Sequence, residues 1–97
     1  MTKADVIAAI AGKTGIEKKD VSETLEQFFQ VVKDSLAGEE NIYIRGFGSF
    51  INKKRAKKIA RNISKNTAIT IEAHYIPSFK PAKVFVEQIK SSTNPEK

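Results

Sequence analysis

The stretch Ile42-Tyr43-Ile44-Arg45-Gly46-Phe47-Gly48-Ser49-Phe50 divides the chain into two parts with different hydrophobic periods. Apolar residues alternate at Ile42 and Ile44, as they do in a strand that is buried on one face. Gly46 and Gly48 follow, and glycine inside a strand pattern indicates a bulge or a close approach of two backbones. We therefore predict that strands begin near residue 41 and are interrupted at these two glycines.

Before this stretch the apolar residues keep a helical spacing. Thr2 and Asp5 resemble a capping box, in which side chains satisfy the free N–H groups of the first helical turn. Gly12 is predicted to end this first helix. A second helix is predicted to begin within Glu17–Asp20 and to end at Gly38, with apolar residues recurring over about four turns. The two segments predict an antiparallel helical hairpin.

Positive charge is concentrated in residues 41–71, which carry eight basic and no acidic side chains. Residues 1–40 carry a net charge of −3 and residues 72–97 a net charge of +1, within a total of +6. Charge focused in this way favours binding of a polyanion, and a solvated surface run is the alternative explanation. The basic residues of the segment are Arg45, Lys53, Lys54, Arg55, Lys57, Lys58, Arg61 and Lys65.

Residues 51–75 are predicted to form a long β-ribbon arm whose outer part has nothing to bury it. Apolar residues alternate again over Thr67–Tyr75, which predicts the returning strand. Asn62–Asn66 carries the turn residues between the two strands, since asparagine tolerates the left-handed conformation. The basic residues therefore lie mainly on the outgoing strand of a projecting hairpin.

The predicted fold class is α+β, in a single domain over residues 1–97. Residues 1–40 form a helical base, residues 41–81 an antiparallel three-stranded sheet with the arm, residues 82–90 a short C-terminal helix and residues 91–97 a flexible tail. Six phenylalanines are more than such a monomer is expected to cover, so we predict a dimer with a large shared core. The phenylalanines predicted in the dimer core are Phe28, Phe29, Phe47, Phe50, Phe79 and Phe85.

Several chemistries are not expected of this sequence. Cysteine is absent, which excludes a thiolate metal site and is consistent with a cytoplasmic location. The single histidine, His74, has no nucleophile or metal-ligand partner in the pattern, so we expect no enzyme activity, no metal or cofactor and no small-molecule substrate. No apolar run is long enough for a membrane span, and no signal peptide is expected.

Several separated motifs resemble the HU/IHF family of bacterial DNA-bending proteins, over roughly residues 2–90. These motifs are Arg45-Gly46-Phe47-Gly48-Ser49-Phe50, Arg55, Arg61-Asn62 and Ile76-Pro77-Ser78-Phe79-Lys80-Pro81-Ala82-Lys83. The resemblance implies an intertwined dimer with a helical base and two β-arms. The arms embrace DNA from the minor-groove side, with basic arm residues on the phosphates. It also implies that a residue at each arm tip inserts between base pairs and kinks the duplex.

The chain departs from the family pattern at three positions. Ile63 stands where the family has a proline, Asn66 where it has a glycine, and Ala82 where it has the glycine before the last motif lysine. Isoleucine is among the apolar wedges that minor-groove proteins insert, so Ile63 is predicted to be the wedge. Packing of Ile63 against its own hairpin and simple exposure to solvent are the alternatives.

The first functional hypothesis is an architectural, histone-like protein of the bacterial nucleoid, which binds and bends or compacts duplex DNA mostly without strong sequence specificity. An RNA-binding or ribosome-associated protein is the alternative, although the basic run lacks aromatic side chains on which single-stranded bases stack. The partner subunit is predicted to be identical, and a heterodimer with a paralogue is the other arrangement considered. The residues predicted to contact DNA are Lys3, Arg45, Ser49, Lys53, Lys54, Arg55, Lys57, Lys58, Arg61, Asn62, Ile63, Lys65, Lys80 and Lys83. Ordinary surface charge is the alternative for Lys3, Lys80 and Lys83, and an ion pair with Glu39 or Glu40 is the alternative for Arg45.

Overall fold

The computed structural model describes residues 1–62 and 67–94. The chain divides into a helical unit, Met1–Ser35, and a sheet unit, Leu36–Lys97. The predicted α+β class is confirmed, with three helices and antiparallel strands within these described residues. The elements in chain order are α1 (Lys3–Thr14), α2 (Lys18–Ala37), β1 (Ile42–Ile44), β2 (Gly48–Arg55), β3 (Lys58–Asn62), β4 (Thr67–Ile71), β5 (His74–Pro81) and α3 (Lys83–Ser92).

Helix α1 begins at the predicted capping box. The backbone N–H of Thr2 donates to the Asp5 carboxylate at 2.8 Å, and the N–H of Asp5 donates to the Thr2 hydroxyl. The backbone hydrogen bond from Thr2, and then the one from its side chain, lower the pKa of Asp5. The predicted C-cap at Gly12 is wrong, because α1 continues to Thr14 and Gly15 ends it with a φ of 77°. The N–H of Gly15 donates to the Ala11 carbonyl, which satisfies one of the carbonyls at the helix end.

Helix α2 ends one residue before the predicted stop at Gly38. The left-handed residue beyond it is Glu39, with a φ of 62°, and its N–H donates to the Leu36 carbonyl at 3.1 Å. The Asn52 side chain of β2 donates to that same carbonyl at 2.8 Å, and the Asn52 N–H donates to the Asn41 side chain. Asn52 therefore ties the central strand to the end of α2.

The sheet consists of a three-stranded part and a two-stranded outer part. The strand order of the first is β1-β2-β5, and β3 pairs with β4 in the second. Arg55 pairs with His74 before the break and Lys58 pairs with Ile71 after it, so no residue is inserted and the register continues. The arm predicted at residues 51–75 is therefore one hairpin that is interrupted at residues 56–57 and 72–73. Helix α3 ends at Ser92, so residues 91 and 92, which were predicted as tail, are helical.

Four phenylalanines of the sheet unit form one cluster, which we call the phenyl cluster (Phe47, Phe50, Phe79 and Phe85). The Phe79 ring lies 5.1 Å from that of Phe47, 5.3 Å from that of Phe50 and 6.5 Å from that of Phe85, between centroids. The cluster is nonetheless open, because Phe79 is 38% exposed and Phe47 is 44% exposed. Val21 is the one buried hydrophobic residue in the described part of the chain, so a single chain lacks a closed core.

Candidate nucleic-acid interface

The three-stranded sheet has two chemically different faces. Successive residues of a strand point to opposite faces, so the pairing of strands sorts the side chains. Phe50 pairs with Phe79 and with Ile42, which places them on the face of the phenyl cluster. Ser49 pairs with Tyr43 on one side and with Lys80 on the other. The opposite face, which we call the polar face, consists of Tyr43, Ser49, Ile51, Lys53, Arg55, His74, Ile76, Ser78 and Lys80.

A tight turn positions Arg45 beside this face. The N–H of Phe47 donates to the Ile44 carbonyl at 3.1 Å, and Gly46 has a φ of 79° at the third turn position, as a type II turn requires. The Ala82 N–H donates to the Phe47 carbonyl at 2.9 Å, which holds the turn against the start of α3. Arg45 and Lys83, the first residue of α3, line the same groove of the sheet unit.

Gly48 allows the close approach of strands that the sequence predicted. A Cβ atom on Gly48 would lie 2.6 Å from the Lys80 carbonyl oxygen and 2.7 Å from the Phe79 ring. Real Cβ atoms essentially never lie closer than 3.0 Å to another heavy atom, so a larger residue at this position requires β5 to move. Gly48 therefore fixes where Lys80 lies relative to the turn.

Four of the predicted DNA contacts meet in one groove of the sheet unit, the body groove. Its lining includes Arg45, Ser49, Lys80 and Lys83 from the predicted set, together with Tyr43. Helix α3 begins there without a side-chain cap and without an acidic residue in its first turn. The backbone N–H groups of the first turn of α3 and the cations Arg45, Lys80 and Lys83 surround this groove, and such an arrangement favours binding of an anion.

The arm continues the positive charge away from this groove. Lys53 and Arg55 lie on the polar face, whereas Lys54 lies on the opposite face, paired with Tyr75. Lys57 lies in the interruption and Lys58 in the outer ladder. All five side chains are exposed, and none of them forms an ion pair with a described residue.

The remaining predicted residues are placed differently. Lys3 lies in the helical unit and forms an ion pair with Glu26. Arg61 and Asn62 end β3, where they pair with Ala68 and Thr67. The wedge predicted at Ile63 and the contact predicted at Lys65 lie outside the described residues.

Two residues of the polar face were missed by reasoning from the sequence. Tyr43 is 74% exposed, and its alternation with Ile42 and Ile44 already placed it on the other face of β1. From the sequence, His74 is considered only for catalysis and metal binding, yet in the structure it pairs with Arg55 in the arm. Its Nδ1 atom lies 2.9 Å from the Glu72 carbonyl oxygen, to which a protonated ring nitrogen donates.

Other kinds of site find no support within residues 1–62 and 67–94. No group of three or more histidine or acidic side chains there could hold a metal ion. None of the described helices combines the length and the apolar composition that crossing a bilayer requires.

Comparison with known proteins places the chain among DNA-binding relatives. The family model described as bacterial DNA-binding protein matches residues 1–90. The chain is 35% identical over 92 residues to the integration host factor subunit alpha of Anaeromyxobacter sp. (strain Fw109-5), covering 95% of this chain and 93% of the relative. It is 39% identical over 88 residues to the DNA-binding protein HU of Lactococcus lactis, covering 91% and 97%. The structure of Anabaena HU in a cocrystal with DNA superposes with a TM-score of 0.85, at 27% identity and covering 91% and 96% of the two chains.

Proposed function

The chain belongs to the HU/IHF family of bacterial DNA-binding proteins, and from that premise we propose that it is an architectural protein of the nucleoid. It binds duplex DNA through the minor groove with its β-arms and bends or compacts it, mostly without strong sequence specificity. It is not an enzyme and needs no cofactor. The nucleoid lies in the bacterial cytoplasm, which is where we place the protein.

The observation that carries this function is the exposed, unpaired positive charge of one hairpin. Lys53, Lys54, Arg55, Lys57 and Lys58 are all exposed, and none of them forms an ion pair with a described residue. Exposed cations without internal partners are free to neutralise phosphates and to release counterions, which is the main source of sequence-independent DNA affinity. A two-stranded ribbon is also narrow enough to follow a groove.

We assign the predicted site residues to two kinds of contact. The arm residues, with Lys65, bind phosphates, while Arg61 and Asn62 reach into the minor groove, where base readout is degenerate. Sequence preference then comes largely from the deformability of the DNA. Arg45, Ser49, Lys80 and Lys83 bind the DNA backbone from the body groove, and Lys3 binds it from the helical unit after exchanging its Glu26 partner.

We infer that the functional unit is a dimer, with the helical base of residues 1–40 and the six phenylalanines in its shared core. Phe28 and Phe29 lie 6.1 Å apart in α2, and both remain more than a third exposed. An apolar groove lined by Phe79, Pro81, Phe85, Val86, Ile89 and Lys90 is open beside α3. A second copy of the chain or a paralogue covers these surfaces, because exposed apolar patches of this kind mark interfaces.

Competition with other nucleic acids tests the function. Labelled duplex DNA is bound at fixed salt, and unlabelled duplex DNA, single-stranded DNA and duplex RNA of the same sequence and length are added. Duplex DNA is expected to displace the probe at the lowest concentration, because the deformable minor groove is the recognised feature. Displacement by RNA at an equal or lower concentration would favour the RNA-binding alternative, which no comparison supports.

Substituting Ile63 by alanine is expected to reduce DNA bending while leaving affinity close to that of the parent protein. An apolar wedge unstacks a base step and kinks the duplex, whereas alanine is too short to do so. The bend is measured by energy transfer between dyes on the two ends of a short duplex. Ile59→Ala is the matched control, since Ile59 is an exposed isoleucine of β3. An unchanged angle for Ile63→Ala disproves the wedge and leaves phosphate binding standing.

A further inference from the structure

We propose that Tyr43 is a further DNA-binding residue, whose hydroxyl donates a hydrogen bond to a backbone phosphate held in the body groove. The proposal rests on the proposed function and adds to it a neutral contact beside the charged ones. It concerns the body of the protein and not the arm, so it can be tested separately from phosphate binding by the arm and from the bend.

The position of Tyr43 supports the contact. Tyr43, Ser49 and Lys80 form one row across three neighbouring strands of the polar face. Neighbouring strands lie about 5 Å apart, so a ligand on Ser49, which lies on the strand next to Tyr43, is within the length of a tyrosine side chain. Tyr43 also lines the body groove together with Arg45 and Lys83.

The chemistry of the site selects the ligand. Arg45, Lys80 and Lys83 surround the groove with positive charge, and the sheet unit places no acidic side chain in its lining. The Tyr43 hydroxyl forms no hydrogen bond with any described residue, although the ring is 74% exposed. A phenol donates well to an anionic oxygen, and tyrosine is among the side chains that bind DNA phosphates. The occupant that fits is therefore the phosphate backbone of duplex DNA.

Tyrosine is common in strands for packing reasons alone, so its presence at position 43 does not by itself indicate DNA binding. Tyr75 provides the comparison that separates strand packing from DNA binding. Tyr43 and Tyr75 are the two tyrosines of the chain. Tyr75 is also exposed, but it pairs with Lys54 on the opposite face and lines a hollow with Glu39, Asn41 and Asn52. A residue of the same type on the same sheet is thus available as a matched control.

The test compares Tyr43→Phe with Tyr75→Phe in the full-length protein. Affinity for a duplex several helical turns long is measured over a series of salt concentrations. Tyr43→Phe is expected to weaken binding about tenfold, because a hydrogen bond to a charged acceptor is lost, and Tyr75→Phe is expected to change it less than about twofold. The dependence of affinity on salt is expected to stay the same in Tyr43→Phe, because a neutral donor displaces no counterion.

A spectroscopic readout accompanies the affinities. The chain has no tryptophan, so the tyrosine emission of Tyr75→Phe comes from Tyr43 alone. Duplex DNA is expected to change that emission strongly and to change the emission of Tyr43→Phe little. Equal affinities of the two variants, or equal responses of their emission, overturn the proposal. Failure of the parent protein to bind duplex DNA would instead overturn the proposed function.

Discussion

Raising the salt concentration from about 50 mM to about 200 mM is expected to weaken duplex binding by about 10³- to 10⁵-fold, if a dimer neutralises about 6 to 10 phosphates. The described arm supports a number of this size, because each protomer exposes Lys53, Lys54, Arg55, Lys57 and Lys58. None of these side chains has to break an ion pair with a described residue before it binds a phosphate. Binding curves are measured at rising concentrations of monovalent salt, and the logarithm of the binding constant is plotted against the logarithm of the salt concentration.

Variants that lack individual positive charges are expected to show which basic residues cause the dependence of DNA affinity on salt. Substituting both Lys53 and Arg55 by glutamine removes two positive charges from the polar face in each protomer. Each lost phosphate contact is expected to lower the slope of the salt dependence by about one unit and to weaken binding uniformly across sequences. Lys33→Gln is the control, because Lys33 is an exposed lysine of α2 outside the basic segment. A flat salt dependence of the parent protein, or equal slopes for the double variant and the control, contradicts the role of the arm.

The sequence predicted the elements whose signals are local. The helical spacing of α2 and the alternation around Ile42 and Ile69 each depend on neighbouring residues, and both are present in the structure. The end of α1 was misplaced because Gly12 and Gly15 are both able to end a helix. The positive φ falls at Gly15, and the pattern alone does not distinguish the two glycines.

The site was predicted less completely, because its faces depend on pairing between distant strands. Lys53 and Lys54 are equivalent in a list of basic residues, but the register of β2 with β5 places them on opposite faces. The row that Tyr43 forms with Ser49 and Lys80 likewise depends on strand pairing and not on the local sequence. The anchoring of the α2 end by Asn52 is equally non-local, since it joins residues sixteen positions apart.

Truncating Phe79 to alanine is expected to destabilise the dimer by about 3 to 5 kcal/mol, the usual cost of removing a fully buried phenyl ring. Within one chain the Phe79 ring contacts three other rings, yet it remains 38% exposed and lines the open groove beside α3. A lone chain therefore buries only part of this ring, and a second subunit is needed to bury the rest. The full cost is expected only if the interface covers Phe79.

The expected result is measured by sedimentation equilibrium and by urea unfolding at several protein concentrations. In the parent protein the unfolding midpoint is expected to rise with protein concentration, because dissociation and unfolding of a dimer are coupled. Phe79→Ala is expected to shift the subunits towards monomer and to lower the midpoint at every concentration. Val84→Ala is the matched control, since Val84 is an exposed apolar residue of α3 outside the lining of the groove. If both variants keep the parent dissociation constant, the groove beside α3 is not the interface, and the exposed phenyl cluster requires a different partner.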